Sequence, residues 1–327
     1  MNLQSVSALH VLVGSVLWLL SAASSSASVA TSGTDLRTCL AWQLALEQVG
    51  FSAGLIDGRI GPKLTRATRE FQRVRGLPVT GQLDPATRSA LHVEAAASLT
   101  TYTVQAADLK QVGPVPKKWI DKSKLERLPY ESLSSALAER FHCSRGLLAQ
   151  LNPQRDLTRL RPGDTLTVPH MTEPPIVRGE RVEIDLAEKL IRVLDRDHRI
   201  VGLFHCSVAK DKAKLPSRPA DVVVISREPT YVFDPEMWPE VKDVDRKLLI
   251  PPGPRNPVGV CWIGLSLPGY GIHGTPNPEL IGKTGSHGCI RLTNWDALRL
   301  ASMIRVGTPV RFIGAVDALA ARAGAAH

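Results

Sequence analysis

Aromatic residues are scarce in this chain of 327 residues and make up only 5% of it. No cluster of basic residues is interleaved with aromatics, so the sequence lacks the surface typical of nucleic-acid binding, and no nucleic-acid partner is expected. Lys and Arg nevertheless exceed Asp and Glu by nine, which favours an anionic partner such as lipid headgroups or bacterial cell wall. With 43% apolar and 22% charged residues the chain is expected to fold, and its length predicts two or three domains.

Long apolar runs are missing everywhere except near the N-terminus. Residues 8–20 are apolar but few for a membrane span, and small residues follow as far as Ala30. This pattern predicts a signal peptide over residues 1–30, although no Lys or Arg precedes the apolar run; an uncleaved anchor is the alternative. The mature protein is therefore expected to be exported to the periplasm or cell envelope, associated with the wall and without a stable membrane span.

The spacings typical of metal sites, CxxC and HxxxH, are absent, and neither a metal nor a cofactor is predicted. Five cysteines occur in a chain expected in an oxidising compartment, and an odd number leaves at least one thiol unpaired. One cysteine is therefore a candidate for reactivity. The other four are interpreted as small core residues or members of a disulfide: Cys39, Cys143, and the possible neighbours Cys206 and Cys261.

Residues 35–93, here called the helical segment, carry the periodicity of three short helices. Leu36, Leu40 and Leu44 recur every four residues, and Asp84-Pro85 supplies a cap and a first-turn proline for the third helix. The second helix is predicted to begin at Pro62 and to bury one apolar face, formed by Leu64, Ala67, Phe71 and Val74.

A continuous motif in the helical segment indicates its family. The motif contains the turn IDGRIGP, the pair Phe71-Gln72 and the tail GLPVTGQLDPAT. It resembles the three-helix peptidoglycan-binding domain of cell-wall enzymes and departs from it at Trp42-Gln43, where Leu-Gln is usual. The resemblance implies binding of glycan or stem peptide, with a spacer role as the alternative.

Residues 101–170, the middle segment, predict the order strand, helix, helix, strand. Tyr102-Thr103-Val104 begins as a strand, two helical faces end at Asn152-Pro153, and LRPGDTLTVP closes with a strand. The halves FHCSRGLLAQLNP and LRPGDTLTVP resemble a lysin-motif domain, which binds glycan containing N-acetylglucosamine. An insertion at residues 106–130 lies near where such loops act, so glycan binding by this segment stays open.

Residues 176–314, the β-rich segment, alternate between apolar and polar residues with a period of two. The predicted strands include RVEIDL, IRVLDR, IVGLFHCSVA, VVVIS, VGVCWIGLS and PVRFI. One late helix is predicted, with Thr293 and Asp296 as a capping box and with Gly307 and Pro309 ending it. The chain is thus predicted to be an α+β multidomain protein, in which a mainly-β domain follows two smaller domains.

The most reactive combination of residues lies late in the β-rich segment. A cysteine is a useful nucleophile when a histidine is close and backbone amides can stabilise an oxyanion, and Ser286-His287-Gly288-Cys289 offers that setting. His273 lies upstream between Gly271 and Gly274, where flexible backbone lets its ring be aimed. One cysteine and two histidines within seventeen residues could also bind a metal, but no third or fourth ligand is close.

The stretch GYGIHGTPNPELIGKTGSHGCIRLTNWDA resembles the active-site signature of the L,D-transpeptidases, which has His-Gly-Thr, then Ser-His-Gly-Cys, then an Arg two residues later. The upstream loop LIPPGPRNPVGV is similar to a subgroup of that family, whereas KLPSRPADVVVI departs from the family at Ala220-Asp221. The resemblance implies a peptidoglycan L,D-transpeptidase with a mainly-β catalytic domain. The implied partner is peptidoglycan, through its stem peptides and its glycan.

Within this resemblance, each matching position inherits a role. Cys289 would attack a tetrapeptide stem at the L-centre of its diamino acid and release D-Ala, with His273 as the base and the Gly274 carbonyl orienting the ring. Backbone N–H groups at Gly288 and Cys289 would hold the oxyanion. The implied substrate-binding residues are Thr275, Ser286, His287, Gly288 and Arg291.

Several alternatives stay open at this point. Arg291 either pairs with a substrate carboxylate or braces the loop, and His287 is interpreted as a packing residue rather than the base. The acceptor could be a second stem peptide, a D-amino acid, an envelope protein or water; with water the enzyme would be an L,D-carboxypeptidase. A catalytically silent wall-binding protein is the third possibility, against which the complete set of Cys289, His273 and Arg291 argues.

Overall fold

The computed structural model describes residues 35–238, 240–286 and 288–314. The predicted signal peptide at residues 1–30 lies outside this range. No helix within the described residues has the length and apolar character needed to cross a membrane. The helical, middle and β-rich segments all belong to one compact unit that begins at residue 34.

Three helices form in the helical segment, as predicted: α1 (Leu36–Gln48), α2 (Pro62–Val74) and α3 (Pro85–Leu91). The carboxylates of Asp35 and Asp84 begin α1 and α3 because they accept the N–H groups of Thr38 and Thr87, at 3.0 and 2.8 Å. The prediction that Val74 belongs to the buried face of α2 is wrong. Val74 is 41% exposed because it is the last residue of the helix, and the buried face ends before it.

Two buried glutamines explain the turns of the helical segment's motif. Gln43 on α1 accepts the N–H of Gly58 and donates to the carboxylate of Asp57, both at 2.9 Å. Gln72 on α2 accepts the N–H of Gly81 and donates to the hydroxyl of Thr87, both at 2.8 Å. These amides pair backbone groups that a tight turn would otherwise leave without a partner.

The middle segment has the predicted order with two additions. Strand β1 (Leu99–Thr103) is followed by two single-turn helices, α4 (Ala106–Leu109) and α5 (Trp119–Lys122), which lie in the insertion. Helices α6 (Leu133–Arg140) and α7 (Arg145–Leu151) follow, and β2 (Thr165–Pro169) pairs antiparallel with β1. The assignment to the lysin-motif family, and glycan binding by this segment, stay predictions.

The insertion of the middle segment packs on the β-rich segment. Trp119 stacks on Phe233 with ring centres 4.2 Å apart. The N–H of Leu128 donates to the carbonyl of Pro252 at 2.8 Å. The insertion therefore forms a contact between segments.

The β-rich segment is mainly β, as predicted. Its strands in the described residues are β3 (Arg181–Asp185), β4 (Leu190–Leu194), β5 (Ile200–His205), β6 (Ala220–Arg227), β7 (Tyr231–Phe233), β8 (Leu248–Ile250), β9 (Cys261–Leu265), β10 (Gly271–His273), β11 (Ile290–Arg291) and β12 (Pro309–Ile313). The late helix is α8 (Asn294–Met303), and the hydroxyl of Thr293 caps it by accepting the N–H of Asp296 at 3.2 Å.

Eight of these strands form one curled sheet in the order β11-β10-β9-β6-β12-β3-β4-β5, while β7 and β8 form a separate hairpin. The chain leaving β5 pairs with β11, because Ser207 and Arg291 exchange two backbone hydrogen bonds of 2.9 Å. The two ends of the sheet therefore meet beside the strand that follows Cys289. The exposed side of β5 is covered in turn by residues 50–52, which pair with Leu203.

The three segments share apolar cores. Phe51 and Phe71 of the helical segment pack in one cluster with Leu190 and Leu203 of the sheet. A second cluster joins the helical and middle segments and includes Leu40, Leu44, Ile56, Leu137 and Leu148. Cutting the chain between segments would expose this apolar surface to water, so the segments support one another. The predicted domain boundaries stay predictions.

A pair of carboxyl groups is buried where α1 meets α8. Glu47 accepts the N–H of Ala53 at 2.9 Å and Asp296 accepts the hydroxyl of Ser52 at 3.3 Å, and neither carboxyl side chain is more than 5% exposed. Burial, followed by repulsion from Asp296, raises the pKa of Glu47 to about 8, and burial raises the pKa of Asp296 to about 6. Glu47 therefore keeps its proton near neutral pH.

The Glu47→Gln variant should lose part of the protein's pH dependence of stability. A raised carboxyl pKa in the folded state gives stability that is full below about pH 4.5 and is lost as the pH rises through about 8. Because each pKa unit corresponds to about 1.4 kcal/mol, the loss is on the order of a few kcal/mol. Urea unfolding at pH 5 and pH 9 should show a smaller difference for the variant than for the parent.

The control for this experiment is Glu94→Gln, a change to an exposed carboxylate directly after the helical segment. It should keep the parental pH dependence. An unchanged difference between pH 5 and pH 9 in Glu47→Gln would show that Glu47 is not the protonated group.

Candidate active site

One cysteine differs from the other four in its surroundings. All five are free thiols, and Cys289 alone is half-buried. The four others are buried apolar core residues, and burial raises their pKa values to about 11 or 12: Cys39, Cys143, Cys206 and Cys261. A thiol in such surroundings is inert, which leaves Cys289 as the accessible thiol.

The parallel pairing of β10 with β11 puts His273 on the strand next to the one that follows Cys289. In this register Ile272 lies opposite Ile290, and His273 lies opposite Arg291. Both isoleucines are buried in the core of the sheet, so the neighbouring residues on each strand face away from that core. Cys289 directly precedes β11, two residues before Arg291, and neighbouring strands of a sheet lie about 5 Å apart.

The Cys289 sulfur lies among backbone groups of the chain that leads into β10. The thiol donates to the Gly269 carbonyl, with 3.5 Å between sulfur and oxygen. Burial raises the pKa of the thiol, and a hydrogen bond from the Gly271 backbone acts in the opposite direction. The resting group is therefore a thiol rather than a thiolate at neutral pH.

The His273 ring is held by one hydrogen bond and one stacking contact. Its Nδ1 lies 2.7 Å from the carbonyl oxygen of Gly274, so Nδ1 carries the proton and Nε2 keeps a free lone pair. Trp262, opposite His273 on β9, stacks on the imidazole with ring centres 5.7 Å apart. Gly271 makes room for that indole, because a Cβ there would lie 2.4 Å from its ring.

Burial keeps the His273 imidazole neutral. Desolvation lowers its pKa to about 4; the Gly274 carbonyl raises the pKa and the charge of Arg291 lowers it further. A neutral imidazole can accept a proton at its free ring nitrogen, which is the requirement for a general base.

Ser286 organises the turn that carries Cys289. Its hydroxyl donates to the Cys289 carbonyl and accepts the N–H of Gly288 at 3.3 Å. Its backbone is fixed as well, because its N–H donates to Val208 at 2.9 Å and its carbonyl accepts from Lys210 at 3.0 Å. The position of the sulfur therefore depends on the Ser286 side chain.

Arg291 braces the loop before Ser286. Its Nη2 donates to the carbonyls of Thr284 and Gly285, at 3.1 and 2.6 Å, and lies 3.2 Å from the Thr284 hydroxyl. Of the two alternatives for this residue, the structure contains the bracing contacts. Pairing with a substrate carboxylate stays a prediction.

The remaining predicted site residues have different surroundings. Gly288 has open space where a Cβ would project, which leaves room for a substrate carbonyl to approach. Thr275 is buried, and its hydroxyl accepts the N–H of Asn277 at 3.2 Å. His287 lies outside the described residues. Within the described part of the chain, no three His, Cys, Asp or Glu side chains gather as a metal site.

Three residues near the site were not singled out from the sequence. Trp262 could have been found from the alternation in VGVCWIGLS, which places it on the same face of the sheet as its neighbour His273. Asn294 follows the cap of α8 and packs behind Gly274. Tyr231, on the β7–β8 hairpin, lies close enough to Cys289 that the sulfur, after burial, raises the tyrosine's pKa. No sequence signal brings the last two to the site.

Comparison with known families assigns both ends of the chain. Residues 179–312 match the model of the L,D-transpeptidase catalytic domain, YkuD, and residues 40–91 match that of a peptidoglycan-binding domain. YkuD of Bacillus licheniformis, named as an L,D-transpeptidase, is 32% identical over 182 residues, which cover 56% of this chain and 93% of that protein. The chain belongs to the L,D-transpeptidase family.

Two further L,D-transpeptidases match with lower identity. YbiS of Escherichia coli K12 is 27% identical over 222 residues, covering 66% of this chain and 70% of YbiS. The crystal structure of an L,D-transpeptidase from Xylanimonas cellulosilytica aligns over 84% of this chain and 92% of that one, at 17% identity. Its TM-score of 0.35 is too low to support an argument about the fold.

The rate of Cys289 acylation should fall only at low pH. Because burial lowers the pKa of His273 to about 4, the base stays neutral down to about pH 5 and becomes protonated below that. Single-turnover acylation by a carbapenem, measured from pH 3.5 to pH 8 with folding followed by circular dichroism, should show an acid limb near 4.

The matched variant is His273→Ala. It should be acylated about 10² to 10⁴ times more slowly than the parent, and its acylation rate should not fall near pH 4, because the base has been removed. If the folded parent instead loses its acylation rate with a midpoint near pH 6.5, the base is not the buried His273.

Proposed function

We propose that the chain is a peptidoglycan L,D-transpeptidase whose nucleophile is Cys289. The His273 Nε2 takes the thiol proton while the sulfur attacks the carbonyl of the stem's diamino acid at its L-centre. The bond to the terminal D-Ala breaks, the D-Ala amine leaves with a proton, and a thioester on Cys289 remains.

Backbone donors would stabilise the oxyanion in both steps. The Gly288 N–H is partly engaged by the Ser286 hydroxyl at 3.3 Å, so we expect the Cys289 N–H to be the stronger donor. The amine of an acceptor then attacks the thioester, and Cys289 is released as a thiol. The acceptor is a second stem peptide in cross-linking or an envelope protein in attachment to the wall.

The observation that supports this proposal most is the pairing of Nδ1 of His273 with the Gly274 carbonyl at 2.7 Å. That bond selects the tautomer whose Nε2 can accept a proton, and the β10–β11 register places it on the same face as the thiol. A scaffold protein would need neither feature. The same machinery would serve an L,D-carboxypeptidase, in which water replaces the amine.

Purified disaccharide tetrapeptide should be converted by the parent to cross-linked dimers with release of D-Ala. Cys289→Ala should leave the substrate unchanged, because no thioester can form. Separation of the products by chromatography and mass spectrometry distinguishes the functions: tripeptide without dimers would indicate a carboxypeptidase, and unchanged substrate with the parent would indicate a silent wall-binding protein.

Cys261→Ala is the matched control, because it removes an equally sized thiol from a buried position. It should keep turnover and should still form a carbapenem adduct, which mass spectrometry places on Cys289. An adduct on Cys206 or Cys261 of the parent would move the nucleophile and overturn the assignment.

The proposed location is the cell wall, after export. A net charge of +9 and the peptidoglycan-binding domain both favour an anionic wall polymer as the partner. Because the helical segment shares a core with the sheet, deleting it would disturb the catalytic domain as well. Binding is therefore better tested on the full chain.

The full chain should co-sediment with purified sacculi, and part of this binding should be lost in high salt. Raising the ionic strength from 0.1 M to about 1 M shortens the screening length from roughly 10 Å to roughly 3 Å. Cys289→Ala should sediment like the parent, since binding does not need turnover. Absence of binding in low salt would contradict the wall location, and salt-independent binding would contradict the role of charge.

A further inference from the structure

A buried asparagine lies directly behind the turn that orients His273. Asn294 is 1% exposed, and its Oδ1 accepts the N–H of Val260 at 3.3 Å. A Cβ on Gly274 would lie 2.3 Å from that Oδ1, and one on Gly259 would lie 2.1 Å from it. The side chain therefore presses on the backbone of Gly274, whose carbonyl holds the imidazole of His273.

The other end of the same amide is held by the middle segment. The Asn294 Nδ2 donates to Oε1 of Glu139 on α6 at 3.0 Å, and the Tyr130 hydroxyl donates to the same oxygen at 2.8 Å. Burial raises the pKa of Glu139, while both of these hydrogen bonds lower it. The charge of Arg255 lowers the pKa of Glu139 as well and that of Glu131 raises it, while Oε1 itself accepts from the two neutral donors.

A second contact from the middle segment reaches the same turn at Pro276. Arg255 forms an ion pair with Glu131 at 3.1 Å and donates to the carbonyl of Pro276. The residues from His273 to Pro276 are thus held by two contacts that start on the middle segment. Neither glutamate touches the thiol or the imidazole.

We propose that the middle segment positions the catalytic base, with Glu139 acting through Asn294 to fix the Gly274 carbonyl and thereby the ring of His273. This inference rests on the proposed role of His273 and gives the middle segment a function besides any glycan binding. Glu139 is a positioning residue. Its effect should appear in the chemical step, because a base displaced by about 1 Å can cost about a hundredfold in rate.

The test compares three replacements of Glu139 in the full chain. Glu139→Ala and Glu139→Met remove the acceptor oxygen, and the methionine keeps most of the side-chain volume, so that at least one variant is expected to fold. Both should lower the maximal first-order rate of carbapenem acylation by about 10- to 100-fold, with little change in the half-saturating concentration. Glu139→Gln keeps an oxygen for Asn294 and should stay within about threefold of the parent.

The pH dependence of the acylation rate distinguishes a displaced His273 from a general loss of stability, because a loss of stability would not shift its midpoint. A loosened turn admits water to His273, so the acid limb in Glu139→Ala and Glu139→Met should move upward from about 4 toward 6.5. Arg127→Ala is the control, because it breaks another contact between the same two segments, the ion pair with Glu228, which does not touch the turn. It should keep the parental rate and limb.

Two outcomes would overturn the positioning role. One is parental acylation with a parental limb in folded Glu139→Met; the other is a loss in Glu139→Gln as large as that in Glu139→Met, because the oxygen would then not matter. These results differ from failure of the proposed function, in which the parent itself would form no adduct on Cys289.

Discussion

The short parallel pairing of β10 with β11 is the constraint on which the site depends. It involves two residue pairs, yet it separates the two faces of the sheet: Ile272 and Ile290 enter the core, while His273 and Arg291 stay on the opposite side. A slip by one residue would exchange the faces and bury the thiol among aliphatic side chains. The register is held from outside by Ser207, which exchanges backbone hydrogen bonds with Arg291 and closes the curled sheet at this point.

Burial of the site determines the protonation states of Cys289 and His273. The surroundings that exclude water also disfavour charge, so the pKa of the Cys289 thiol rises while that of His273 falls. An ion pair of thiolate and imidazolium would need strong local stabilisation, and the contacts of the sulfur with the described residues include a backbone carbonyl and a backbone donor but no side-chain cation. In the proposed reaction the proton therefore leaves the thiol as the sulfur attacks, and the rate depends on the orientation of the imidazole.

Features that depend on neighbouring residues could be predicted from the sequence, whereas contacts between residues far apart in the chain could not. The caps at Asp35, Asp84 and Thr293 depend on a side chain and a backbone group three residues away, and all three were predictable. The assignment of Cys289 and His273 to the active site rests on a continuous motif of the sequence and stays a prediction. Strands of two or three residues, such as β10 and β11, carry too few side chains for a period to show. Asn294 and Glu139 are 155 residues apart, and no local pattern joins them.

The shared apolar cores argue against dividing the chain into independent domains. Pro-rich joints favour three separate domains, and family models match two of them. However, Ile56 of the helical segment packs with Leu137 of the middle one, and Leu203 of the sheet packs with Phe51. Elements that bury one another's apolar surface fold and loosen together. The turn at His273–Pro276 is linked to the middle segment through Asn294 and Arg255, so the proposed wall-binding segments and the proposed catalytic residues belong to one cooperative unit. A ligand that stabilised the helical or middle segment would thereby stabilise the packed form in which His273 is oriented. Binding to these two segments could in this way change the rate of the proposed reaction.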